Sequence, residues 1–234
     1  MYNVETMLDQ NTLENYDNSE PERLEQLEFN SLSFIMTKPD SRENSLDILI
    51  EDIIVNQKFD LPGLTTTDIE NLSKVTVVGR FLLKLTPESS VLDIVYEREV
   101  RNRNFEFLNR LKTFYSGDVT FYILVSSLSQ NALEEVLNKL KGSKALLNNN
   151  GDIIKHPVGI RGRFLKPSKA LDLSNPETKK DPSLYVNLLH TSDNLTSSKR
   201  ILQMYLENSS CMQTENVRAK LIDFLNNHNE DSAF

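Results

Sequence analysis

Apolar residues along this chain switch between a period of two and a period near 3.6, and the switches mark its elements. Leu32-Ser33-Phe34-Ile35-Met36-Thr37 is a short apolar run that stops at Lys38-Pro39-Asp40. Proline lacks the N–H that a ladder or helix interior needs, so this predicts a strand running into a turn. Leu46, Leu49, Ile50 and Ile53 then recur at i, i+3, i+4 and i+7, a helical face with Asn44 or Ser45 as its cap. Pro62-Gly63 breaks that pattern, and residues 75–85 (VTVVGRFLLKL) have strand composition. A helix over 88–97 follows, then one over 103–115 with Phe107, Leu111, Phe114 and Tyr115 on one face. Ser116-Gly117-Asp118 turns the chain into a strand over 119–125, and Leu133, Val136, Leu137 and Leu140 make the clearest amphipathic helix.

Residues 142–184 change character. Asn148-Asn149-Asn150-Gly151, four prolines and many lysines read as a long irregular segment, which inside a compact domain is functional or disordered. Order returns with a strand over 184–189 that delivers His190 at its end. Ser192 or Asp193 is expected to cap the next helix, which carries Leu195, Leu202, Tyr205 and Leu206. A last helix carries Val217, Leu221, Phe224 and Leu225 before a polar tail. Strand, helix, strand, helices, strand, helix, long loop, strand, helix is the order of an α+β fold. The expectation is a ferredoxin-like split βαβ arrangement: an antiparallel four-stranded sheet covered by helices, these lying on one face.

Composition narrows the class. With 38% hydrophobic and 26% charged residues and no run of about 18 apolar residues, no membrane partner is expected. The acidic start lacks the basic and apolar regions of a secretory signal, and the single Cys211 can form neither an internal disulfide nor a cysteine metal site. A cytoplasmic protein is the simplest reading. The net charge of −8 is unevenly spread. Residues 1–30 hold eight acids against one base, a net −7, and residues 1–28 read as an acidic N-terminal tail. Residues 139–180 hold ten bases against three acids, a net +7. Such a stretch either binds an anion or stays a solvated loop. Nucleic acid is disfavoured as a partner, because Phe164 is the one aromatic in the basic stretch and the whole-chain pI is about 5.

Several residues in this frame suit phosphate chemistry. Lys38 follows a strand directly, where an ammonium can reach a ligand at a sheet edge. Arg161 lies in Gly159-Ile160-Arg161-Gly162, between glycines that let backbone approach closely. Asn187 and His190 share one strand end, and Ser192 opens a helix, where free N–H groups favour anions. A neutral imidazole is a nucleophile near pH 7 without deprotonation. Each of these taken singly also has a plain structural reading: a buried histidine, a surface lysine, a salt-bridging arginine, a strand-end asparagine, a helix cap.

Together the segments resemble the nucleoside diphosphate kinase family. Phe34-Ile35-Met36-Thr37-Lys38-Pro39-Asp40 is similar to the family's opening strand ending in Lys-Pro-Asp. Phe114-Tyr115-Ser116-Gly117-Asp118-Val119 is similar to its Tyr-Met-x-Ser-Gly-Pro-Val-Val junction, and Ile160-Arg161-Gly162-Arg163-Phe164 to its Ile-Arg-Gly-Asp-Phe. Asn187-Leu188-Leu189-His190-Thr191-Ser192-Asp193-Asn194 is similar to its Asn-x-x-His-Gly-Ser-Asp-Ser signature. The blocks fall in the family's order over residues 34–206.

The resemblance implies a nucleoside diphosphate kinase domain over 29–210, with an insertion at about 165–184 and a C-terminal helix and tail over 211–234. It implies that His190 carries the γ-phosphate of ATP or another nucleoside triphosphate to a nucleoside diphosphate. Lys38 and Arg161 would neutralise phosphate charge, Asn187 would contact the sugar and phosphate end, and Ser192 would border the phosphates. Tyr96 matches the family tyrosine near the active histidine, two residues out of register, and Phe105 or Phe107 is the candidate base clamp. Mg²⁺ would bridge the phosphates with little protein ligation. Family members form tetramers or hexamers, so a homo-oligomer is an expectation. The chain departs from the family at Ile201, where an acid orients the histidine, at Thr191 for glycine and at Arg163 for an acid. A second family arginine has no counterpart beyond Lys139 or Lys141, and the spacing between Arg161 and Asn187 is longer. These departures imply an alternative: a catalytically weak kinase-like module that binds nucleotides for regulation or interaction.

Overall fold

The structure, a computed structural model, describes residues 28–43, 45–102, 105, 109, 112, 115–169, 188–192, 194–208 and 215–227. Its centre is an antiparallel sheet of β1 (Ser31–Thr37), β2 (Val75–Leu85), β3 (Gly117–Ser126) and β7 (Leu189–Thr191), in the order β2-β3-β1-β7. This is the order of a split βαβ sheet, the α+β ferredoxin-like arrangement read from the sequence. β1 runs against β3 from Ser31↔Ser126 to Thr37↔Thr120, and the short β7 closes the other edge with Met36 opposite His190.

Helices cover both faces of this sheet, not one. All seven residues of β1 are buried, so the strand presents apolar side chains at both parities. Leu32, Phe34 and Met36 join Phe81, Phe121 and Ile123 under α4 (Ser90–Val95), α8 (Leu195–Asn208) and α9 (Glu215–Asn227). Ile35, Tyr122 and Leu124 join a second cluster under α2 (Asp47–Val55), α6 (Gln130–Lys141) and α7 (Gly159–Phe164). The remaining short helices are α1 (Pro39–Glu43), α3 (Thr66–Leu72) and α5 (Glu97–Arg101). Among the described residues no helix is long and apolar enough to cross a membrane.

Two local expectations are corrected. α2 buries Ile50, Ile53 and Ile54, whereas Leu49 is 49% exposed. No side chain caps α2: Leu46 holds the N-cap, Ser45 has a left-handed φ of 56°, and Asn44 lies outside the described residues. Second, residues 142–169 are not irregular. They form α7 and a small sheet of β5 (Ile153–Lys155), β4 (Leu146–Leu147) and β6 (Ser168–Lys169). The Asn148 side chain makes the β4–β5 turn by accepting from the N–H groups of Asn150 and Asp152, the local bond that asparagine offers in turns. α9 packs into the main core, where Phe224 meets Phe29 at 5.4 Å between ring centres. The expected strand residues 184–187, the insertion from 170 onward and the helical face at Phe107, Leu111 and Phe114 lie outside the described residues.

Candidate functional site

His190 lies inside β7, opposite Met36, and not at a strand end. The Lys-Pro-Asp block explains how that short edge strand is held. The Lys38 N–H donates to the Leu188 carbonyl at 2.8 Å, and the Leu188 N–H donates to Asp40 Oδ2 at 3.1 Å. Leu188 has a φ of 55°, a left-handed conformation that costs a branched side chain about 1–2 kcal/mol unless its surroundings hold it. Both backbone groups of this strained residue are therefore clamped by the turn after β1. Gly117 completes the turn: a Cβ there would lie 3.2 Å from the Pro39 ring, and its φ is 135°.

The imidazole of His190 points into the face occupied by Phe34, Tyr96 and Tyr115. It is 7% exposed, with the Tyr96 ring edge-on at 5.1 Å and Phe34 at 6.0 Å between ring centres. The ring is hydrogen-bonded to the backbone of Val95, while Nε2 is buried with no hydrogen-bond partner among the described residues. Burial, reinforced by the charges of Lys38, Lys141 and Arg161, holds its pKa well below the ordinary histidine range. The ring is thus neutral at physiological pH.

Three cations bear on it, Lys38 from the turn after β1, Arg161 from α7 and Lys141 from the end of α6. Lys38, 2% exposed, rests its ammonium 3.9 Å from the centre of the Tyr115 ring and 5.8 Å from that of Tyr96. The Arg161 guanidinium donates to the carbonyl of Leu189 at 2.8 Å, one residue from the histidine. Burial pushes its pKa down to about 10, opposed by Tyr115, Tyr96 and Asp40, so it remains a cation at neutral pH. Gly159 allows α7 to come this close: its φ is 61°, and a Cβ would fall 2.3 Å from the Leu140 carbonyl oxygen. Lys141, at the end of α6, donates from Nζ to Thr191 Oγ1 at 2.8 Å. Lys139 turns away and pairs with Asp68 at 2.8 Å and Glu135 at 3.3 Å.

The other candidates are placed as follows. Tyr96 is 6% exposed, between Tyr115 and His190. Ser192 is buried at 1%; its hydroxyl donates to the Asn194 carbonyl and accepts from Ser198. Asn194 is the residue that caps α8, accepting from the Ser197 N–H at 2.8 Å. Phe105 is 56% exposed. Asn187 and Asp193 lie outside the described residues. Ile201 is fully buried in the main core. Glu97, at the start of α5, is tied to α8 through Ser197: burial works to raise its pKa, but hydrogen bonds from Arg101 and Ser197 hold it below the ordinary range.

Sequence reasoning missed Tyr115 as the seat of Lys38, Asp40 as the clamp on Leu188, and Thr191 as the partner of Lys141. Tyr115 was legible only as an apolar helix position, and Asp40 only as a turn residue.

No family model matches the chain, and no curated protein matches its sequence. Among solved structures it is similar to the nucleoside-diphosphate kinase from Borrelia burgdorferi, a transition state mimic with bound vanadate and ADP. That likeness has a TM-score of 0.50 and 15% identity, over 79% of this chain and 92% of that one. The nucleoside diphosphate kinase from Encephalitozoon cuniculi, in an apo form, matches with a TM-score of 0.44 and 16% identity, over 82% of this chain and 99% of that one. The Aquifex aeolicus enzyme matches at 0.42 and 18%, over 74% and 92%. The likeness to the Borrelia burgdorferi enzyme gives this chain a nucleoside diphosphate kinase-like fold.

Proposed function

We propose that the chain binds nucleoside di- and triphosphates at the cluster of side chains around His190 and transfers a phosphoryl group through that residue, as a diverged nucleoside diphosphate kinase. The observation that carries this reading is a neutral histidine at a sheet edge whose surrounding charges are Lys38, Lys141 and Arg161. Three cations around one uncharged nucleophile suit a polyanion that must lose and regain a phosphoryl group. An imidazole nitrogen would bond to the γ-phosphorus while the β–γ bridging P–O bond breaks and the diphosphate departs. A second diphosphate would reverse the step. Arg161, with its planar fork, and Lys38 would hold the phosphate oxygens. Tyr96 would support the ring, Ser192 would shape the backbone next to it, Asn187 would contact the sugar and phosphate end, and Phe105 would stack on the base.

Mg²⁺ would enter with the nucleotide as part of the substrate. Among the described residues no group of three His, Cys, Asp or Glu side chains stands together to hold a metal. The reading is tested by calorimetric titration with ATP and Mg²⁺. Wild type binds, and Lys38→Met and Arg161→Met each lose at least tenfold in affinity; equal affinity in all three removes the His190 cluster from consideration.

A second reading, a nucleotide-binding module with little turnover, is favoured by one observation. Ile201 packs in the core at the position where the resembled family carries the acid that orients the histidine, and Nε2 of His190 has no partner among the described residues. An imidazole held by a backbone group at one nitrogen, without a carboxylate at the other, lacks the orientation and basicity that a carboxylate partner supplies, which costs rate. Exchange of γ-phosphate between ATP and a second nucleoside diphosphate separates the two: turnover lost in His190→Ala supports the enzyme, and binding without turnover supports the module.

A further inference from the structure

α4 and α5 are six and five residues long, too short to be stable alone, so what fixes them is what they touch. Val95 ends α4, and Tyr96 is its C-cap, with φ −110° and ψ 36°. The last carbonyls of a helix have no partner inside it and are open to a donor from elsewhere. The backbone bond between Val95 and the His190 imidazole favours the protonated ring, which is the sense of a ring N–H donating to a carbonyl. Tyr96 sets its ring edge-on to the imidazole at 5.1 Å. The joint between α4 and α5 therefore meets the histidine twice, once by a hydrogen bond and once by a ring.

Glu97 anchors that joint. It is the next residue, 7% exposed, and its carboxylate reaches α8: Oε2 accepts from Ser197 Oγ at 3.1 Å, and Oε1 lies 3.8 Å from the Arg200 guanidinium. Arg101, one turn further along α5, donates twice to Oε1, at 2.7 and 3.2 Å, which compensates the buried charge. Ser197 is 2% exposed and lies in the first turn of α8, three residues after the cap Asn194. α8 follows β7 in the chain, so Glu97 grips the helix into which the histidine strand runs. Hydrogen bonds to a carboxylate are stronger than neutral ones, so this contact fixes the spacing between the joint and α8.

We infer that Glu97 is a positioning residue for His190: by gripping α8 through Ser197 it sets where the Val95 carbonyl and the Tyr96 ring stand against the imidazole. An acid on α5 acts here through backbone and ring, where the resembled family carries an acid at the position of Ile201 on α8. The inference rests on reading His190 as the phosphoryl carrier.

The test combines γ-phosphate exchange with the nitrogen NMR signals of the imidazoles, in the full chain, for wild type, Glu97→Gln, Ser197→Ala and Asp68→Asn, with melting curves for each. The chain has three histidines, and His190→Gln identifies the signal of interest. Asp68 is the control: it is 5% exposed and ion-paired, as Glu97 is, but on α3, where it meets Lys139 and Thr65. Wild type is expected to show one fixed neutral tautomer at position 190. Glu97→Gln and Ser197→Ala are expected to show averaged tautomers and to lose about tenfold in kcat with KM within about twofold, because a misaligned ring reacts slowly while the phosphate-binding cations stay in place. Asp68→Asn is expected to melt lower and to keep the wild-type ring signals and kcat. Wild-type ring signals and kcat in a folded Glu97→Gln, or an equal loss of kcat in Asp68→Asn, overturn the inference. Should Glu97→Gln fail to fold, Ser197→Ala decides alone on the same readouts. Wild type that exchanges no phosphate sinks the reading of the site, and the ring signals then decide this inference by themselves.

Discussion

Replacing Ile201 with glutamate puts an acid at the position where the resembled family carries one, and the packing determines the cost. Ile201 is wholly excluded from solvent, in a cluster with Leu202, Tyr205 and Phe121. Losing its apolar side chain costs about 2 kcal/mol of transfer free energy. The new carboxyl would have to stay protonated in the folded state. A free glutamate titrates near 4.3, so keeping it protonated at pH 7 costs about 1.4 kcal/mol for each of about 2.7 pH units, roughly 3.7 kcal/mol. The combined loss approaches 6 kcal/mol, against a typical domain stability of about 5–15 kcal/mol. The sign follows from linkage: the unfolded chain releases the proton above pH 4.3 and the folded chain keeps it, so the penalty grows as pH rises. Urea unfolding of Ile201→Glu at pH 5 and pH 7 should therefore differ in penalty by about 2.7 kcal/mol. Ile201→Gln, with no proton to lose, should show a penalty that does not change with pH. A loss below about 1 kcal/mol, or one independent of pH, refutes the reasoning. It would mean that the new carboxylate reaches solvent or pairs with Nε2 of His190, and in the latter case γ-phosphate exchange should rise.

Three further outcomes follow from the geometry. Asp40→Ala removes the acceptor of the Leu188 N–H and should cost about 2 kcal/mol in chemical denaturation, most of it recovered in Asp40→Asn, whose amide oxygen still accepts. Gly159→Ala drives a Cβ against the Leu140 and Lys139 carbonyls at a positive φ. It should lower stability by about 1–3 kcal/mol and weaken ATP binding in calorimetry by displacing Arg161. For His190, whose folded pKa is depressed, the unfolded chain takes up a proton that the folded one refuses. Stability should be full above about pH 6.5 and fall below it, by up to about 1.4 kcal/mol per pH unit, and urea midpoints should lose that slope in His190→Gln.

Elements with a single dominant signal were legible in the sequence. Leu133, Val136, Leu137 and Leu140 are all buried on α6, because no tertiary demand competes with a clean helical period. β2 spans the eleven residues read as a strand. Periodicity failed where neighbours decide. The face of α2 is rotated from the expected one, since its contacts with β2 and the second core select Ile54 over Leu49. Helices on both faces of the sheet were implicit in the unbroken apolar run of β1, which alternation rules cannot assign to one side. Within the site, residue types were legible but their partners were not. Ser192 has the chemistry of a cap, yet burial ties it to Ser198 and leaves the cap to Asn194. That Lys38 would lie on Tyr115 depends on two strands meeting across the sheet, which no local pattern encodes.

The central claim, that a neutral His190 among three cations carries a phosphoryl group, is tested most directly by incubating the chain with γ-labelled ATP and Mg²⁺ and examining the protein after quenching. The account predicts a labelled protein whose label survives base, is lost in acid, passes to added nucleoside diphosphate and is absent from His190→Ala. Label that withstands acid, or that persists undiminished in folded His190→Ala, would contradict it.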